Sequence, residues 1–62
     1  MKVYHIKVVG DTAYNYKIEA ESVSVSSAGL YEFVSYFNGQ AQVVAYFPIS
    51  KTVIHRIEEL ED

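Results

Sequence analysis

Phe37-Asn38-Gly39-Gln40 sits between two apolar, aromatic-rich runs, Leu30 to Tyr36 and Ala41 to Phe47. Asn and Gly tolerate the positive φ that a two-residue hairpin demands, so this dipeptide predicts a turn that sets the register of both flanking strands. Pairing Tyr36 with Ala41 places Val34 opposite Val43, Glu32 opposite Ala45 and Leu30 opposite Phe47 on one face. The other face then carries Ser35 opposite Gln42, Phe33 opposite Val44 and Tyr31 opposite Tyr46. Both faces are largely apolar, whereas an antiparallel hairpin in a small domain ordinarily buries only one.

The face bearing Leu30, Val34, Tyr36, Val43 and Phe47 has Glu32 as its one polar residue and is assigned to the core. Tyr31, Phe33, Val44 and Tyr46 are assigned to an interface, because a second apolar face has to meet something. Glu32, flanked by apolar neighbours, is a candidate ligand contact. The alternative is a carboxylate that reaches solvent at a sheet edge or pairs with a lysine.

Outward from the hairpin the chain reads as further strands. Lys2 to Val9 alternates, with Tyr4, Ile6 and Val8 on one side and Val3, His5 and Lys7 on the other. Ala13 to Ala20 alternates too, with Tyr14, Tyr16, Ile18 and Ala20 on the apolar side. A two-residue Gly10-Asp11 loop would scatter these residues over both faces. Counting Thr12 into the loop pairs Val8 with Tyr14, Ile6 with Tyr16 and Tyr4 with Ile18, and this register is preferred because a one-residue slip exchanges the faces of a whole strand. Parity then breaks: Ile18 and Ala20 are apolar at even positions, Val23 and Val25 at odd ones. A bulge or bend near Glu21 restores a common inward face. Ser26-Ser27-Ala28-Gly29 is the next turn.

After Pro48, the apolar residues Ile49, Val53, Ile54, Ile57 and Leu60 have a spacing that a short C-terminal helix could use, with Ser50 as its cap. The β-branched Thr52-Val53-Ile54 and the acids Glu58, Glu59, Glu61 and Asp62, unfavourable at a helix C-terminus, argue instead for a strand over about Thr52 to Ile57. A frayed acidic tail from about residue 58 follows. The fold expected is one all-β domain over residues 1–62, a small antiparallel meander of about five strands curled into a barrel or roll.

A chain of 62 residues buries only roughly 60% of its unfolded surface, so its core is marginal. Disulfides, metals and oligomerisation are the usual supports, and without cysteine the last is the one expected. There is no phosphate-binding loop, dinucleotide fingerprint or zinc-protease motif, and neither a cofactor nor a metal site is expected. His5 and His55 lie on the first and last expected strands, neighbours if the sheet closes, but no carboxylate spacing completes a metal site around them. A net charge of -3 with five Lys and Arg argues against a phosphate-binding surface. No apolar run of about 18 residues and no signal-peptide pattern is present, so the expected location is cytoplasmic and no membrane partner is expected.

Six tyrosines and three phenylalanines are the remaining signal. Tyr4, Tyr14, Tyr16 and Tyr36 are assigned to core packing, and Tyr31, Phe33 and Tyr46 to contacts, since tyrosine suits interfaces. The expectation is a non-catalytic, homo-oligomeric interaction module that engages a protein partner or small ligand through an aromatic sheet face. The alternatives are sequestration of a nucleotide-like molecule at a subunit junction and binding of single-stranded nucleic acid through stacked aromatics. No enzyme is expected, because no nucleophile and base can be assembled.

Overall fold

The computed structural model describes residues 1–60. Six strands follow in chain order: β1 (Lys2–Val8), β2 (Tyr14–Ala20), β3 (Ser22–Val25), β4 (Leu30–Phe37), β5 (Gln40–Pro48) and β6 (Thr52–Glu59). They form two antiparallel three-stranded sheets, ordered β2-β1-β6 and β3-β4-β5. These sheets are not closed into a barrel by backbone pairing. The count is six rather than about five because Glu21 divides β2 from β3.

That division is the parity break in the sequence. β2 belongs to the first sheet and β3 to the second, and the Glu21 amide between them donates to the Val34 carbonyl (2.8 Å). Bending here lets Ala20 and Val23 both turn inward, although they sit at even and odd positions. The β1–β2 ladder has the expected register, with Val8 opposite Tyr14, Ile6 opposite Tyr16 and Tyr4 opposite Ile18.

Asn38 (φ 52°) and Gly39 (φ 77°) make the β4–β5 turn, both with the positive φ such a hairpin requires. Next to the turn the ladder runs as expected: Tyr36 opposite Ala41, Ser35 opposite Gln42 and Val34 opposite Val43. Then Val44 is left over. A bulge shifts the register by one, so that Phe33 faces Ala45, Glu32 faces Tyr46, Tyr31 faces Phe47 and Leu30 faces Pro48. The bulge corrects the face assignment read from strict alternation. It gathers Tyr31, Phe33, Ala45 and Phe47 on the inner face and turns Leu30, Glu32, Val34 and Tyr36 outward.

The core is small and aromatic. Tyr4, Ile6, Ala20 and Phe33 are buried, with Ile18, Val23, Tyr31, Ala45, Phe47 and Ile54 packed against them. Two aromatic contacts bridge the sheets: Tyr4 meets Phe33 edge-on at 5.1 Å between ring centroids, and Tyr16 meets Phe47 at 5.4 Å. Within the second sheet Phe33 also meets Phe47 at 6.0 Å. Such ring pairs add to area burial because the positive edge of one ring lies near the negative face of another. Of the tyrosines assigned to the core, Tyr4 is there. Tyr14 and Tyr36 are exposed, and Tyr16 keeps part of its ring in solvent beside Phe47.

The C-terminal segment is a strand, preceded by a single 3-10 turn at Ile49–Lys51. β6 pairs with β1 along its length, from Val8 opposite Thr52 to Lys2 opposite Glu59, with a second bulge at His55. The acidic residues Glu58 and Glu59 therefore extend the ladder where a frayed tail was expected; Glu61 and Asp62 of that tail lie outside the described residues. Two backbone bonds pin this strand, from the Val9 amide to the Lys51 carbonyl (2.7 Å) and from the Leu60 amide to the Met1 carbonyl (3.0 Å). Among the described residues, no helix is long and apolar enough to cross a membrane.

Candidate interaction surface

The bulge at Val44 decides which side chains the second sheet offers to solvent. Before it, Val43 shares the outer face with Val34, and beyond it the parity flips so that Tyr46 stands on that same face opposite Glu32. Tyr36 completes the set from the turn end of β4. Tyr46 is 66% exposed, Tyr36 59% and Val43 47%, while Leu30, Glu32 and Val34 are half-buried by their neighbours. The sides of this face are the hydroxyls of Ser22 and Ser24 on β3, which pair with Val34 and Glu32.

The four residues assigned to an interface are thus separated. Phe33 is fully buried and Tyr31 is half-buried beside it in the core, whereas Tyr46 points outward. Val44, the extra residue of the bulge, is 43% exposed. Glu32 stays beside apolar neighbours, but on the outer face, opposite Tyr46 rather than Ala45. Tyr36 and Val43 take the exposed places that strict alternation had given to the inward-facing pair. The signal that could have found them is the adjacent pair Val43-Val44, where a two-for-one bulge keeps both Phe33 and Phe47 inside.

Charge sharpens the contrast between the two sheets. From Phe33 to Ser50 there is no Asp, Glu, Lys or Arg, and this run builds most of β4 and all of β5. The outer face of the first sheet is instead charged: His5 lies opposite Lys17 on one side and Arg56 on the other. There the His5 Nε2–H donates to Glu58 Oε1, and Arg56 Nε lies 3.6 Å from the same oxygen. The hydrogen bond from His5, with the positive charge of Arg56, holds the Glu58 carboxyl below its ordinary range.

His5 and His55 are neighbours, with ring centroids 6.2 Å apart. No group of three or more His, Asp or Glu is arranged to hold a metal among the described residues. Glu58 escaped the sequence reading because its approach to His5 depends on the register of a strand that begins only after Lys51.

Chemically the charged face is a set of mutually neutralising groups, and the apolar face is a surface that gains by losing water. No protein-family model matches this chain, and no curated protein or solved structure matches it.

Proposed function

We propose that this protein is a non-catalytic interaction module, one that self-associates and engages a protein partner or small ligand through the outer face of β3-β4-β5. The observation carrying the proposal is a contiguous exposed face of Tyr36, Val43 and Tyr46, drawn from the charge-free run Phe33 to Ser50 and backed by Leu30 and Val34, with Glu32 its one charged residue. Large side chains scattered singly on a surface need no explanation, but grouped ones on a sheet face whose one charged residue is the half-buried Glu32 are typical of contact sites. Tyrosine suits the task, since its ring can be buried while its hydroxyl bonds to a partner or to water.

Self-association is part of the proposal because four buried apolar side chains make a slender core for six strands. In this reading a second copy adds the burial that a barrel or roll would gain by closing. A cytoplasmic location belongs to the same proposal and is supported by the absence of cysteine.

Sedimentation equilibrium over a range of concentrations tests it. A dimer or larger assembly at tens of micromolar is the expected result, and a monomer throughout would remove self-association from the proposal.

A further inference from the structure

β5 is an edge strand: β4 pairs with one side of it, and among the described residues nothing pairs with the other. Natural sheets protect such edges with charge, proline, short length or a bulge, because an open row of amides and carbonyls templates pairing with another chain. The other three edges follow this rule. β3 is only four residues long, β2 carries Lys17 and Glu19, and β6 carries Arg56, Glu58 and Glu59. β5 has nine residues and no charge, and its protection is confined to the bulge at Val44 and to Pro48. Those two features leave Gln40–Val43 as the segment able to carry an uninterrupted ladder, directly after the Asn38-Gly39 turn.

We propose that two copies of the chain pair antiparallel along the free edge of β5, within Gln40–Val43, about a two-fold axis normal to the sheet. The proposal rests on the self-association described above and assigns it a contact. The β3-β4-β5 sheets of the two copies join into one sheet of six strands. An axis in that direction keeps like faces together, so Tyr36, Val43 and Tyr46 of both copies form one doubled surface on the same side.

A second copy is the occupant for two reasons. Antiparallel pairing about a two-fold makes any strand complementary to itself, and here no like charges meet across the axis. Each chain has one long uncharged edge, so the assembly closes at two. A specific dimer of standard size buries roughly 800 Å² on each side, a little under a fifth of the 4521 Å² that the chain exposes. A ladder this short buries less than that, so this dimer dissociates on dilution.

Amide hydrogen exchange of the unmodified protein, measured at low and high concentration, tests the contact. Slower exchange within Gln40–Val43 at high concentration, with β3 and β6 unchanged, is the expected result. Two variants separate this contact from the alternatives. Ala41→Lys sets two lysines beside the axis and should convert the dimer to monomer, whereas Tyr36→Ser removes a large side chain of the central strand and should leave the dimer intact.

If Tyr36→Ser dissociates the assembly while Ala41→Lys does not, the copies meet face to face and edge pairing is overturned, although self-association stands. Concentration-independent exchange of Gln40–Val43 in a protein that sediments as a dimer overturns it equally. A parent that is monomeric at every concentration removes self-association and edge pairing together.

Discussion

Replacing Phe33 by alanine tests the inward turn of the β4–β5 hairpin. Phe33 is fully buried between the sheets, its ring against Tyr4 at 5.1 Å and Phe47 at 6.0 Å. Removing a buried phenyl ring costs about 3–5 kcal/mol, the lost transfer free energy plus the cavity left behind. Two ring contacts of roughly 0.5–1.5 kcal/mol each disappear with it and place this site toward the upper end of that range. The whole stability expected for a chain of this length is only about 3–9 kcal/mol. Phe33→Ala should therefore lose from about half to all of the stability of the fold.

The comparison variant is Tyr46→Ala, whose ring is two-thirds exposed and whose loss should change stability by no more than about 0.5 kcal/mol. Urea unfolding followed by far-ultraviolet circular dichroism measures both, at one fixed low protein concentration so that mass action does not add to the difference. Similar midpoints for the two variants, or a larger loss for Tyr46→Ala, would refute the assignment of Phe33 to the core.

Gly39→Val should cost more than about 1 kcal/mol in urea unfolding, since a β-branched residue is strained at φ 77°. Nothing lies within 4 Å of the added Cβ, so that cost reads the turn's backbone and not a clash. Thr52→Val should raise the urea midpoint, because the Thr52 Oγ1 is buried without a hydrogen-bond partner and its replacement by a methyl removes a desolvation penalty on the order of 1 kcal/mol; a lower midpoint would show that the hydroxyl is satisfied. Acid should weaken the fold through Glu58. Its carboxyl titrates below the usual 4.5 in the folded chain, so the stability it contributes is present above that pH and is lost as the pH falls through the folded value. Glu58→Gln should flatten the stability profile as the pH falls below 4.5, and an unchanged profile would show that its pairing with His5 is not maintained in solution.

Much of the fold could be read from the residues because alternation and turn chemistry agree over most of the chain. The Val8–Tyr14 register follows from placing Tyr4, Ile6, Tyr16 and Ile18 together, and the bend at Glu21 from the parity change between Ala20 and Val23, although the passage there from one sheet to a second was not legible. β-Branching at Thr52-Val53-Ile54 marked β6 as a strand.

What failed was the inner face of the hairpin, for a specific reason. Both faces near Val43 and Val44 are apolar, so alternation alone does not favour a regular ladder over a bulged one. Packing against Tyr4 and Tyr16 of the other sheet does decide it, but that contact is long-range. The same cause hid Glu58, whose neighbour His5 lies at the opposite end of the chain.

The two sheets are assembled from the chain in different ways, and this bears on the order in which they form. β3, β4 and β5 follow one another through two tight turns, so each of their ladders closes a short loop. The β1–β6 ladder brings Lys2 to Glu59 and closes nearly the whole chain. Closing a long loop costs more chain entropy, and that cost falls once the segments between are already compact. The β3-β4-β5 meander is therefore expected to form ahead of the rate-limiting step and β1–β6 docking after it. Val23→Ala should slow refolding, whereas Ile54→Ala should leave the refolding rate nearly unchanged and hasten unfolding, which the two arms of a stopped-flow chevron would separate.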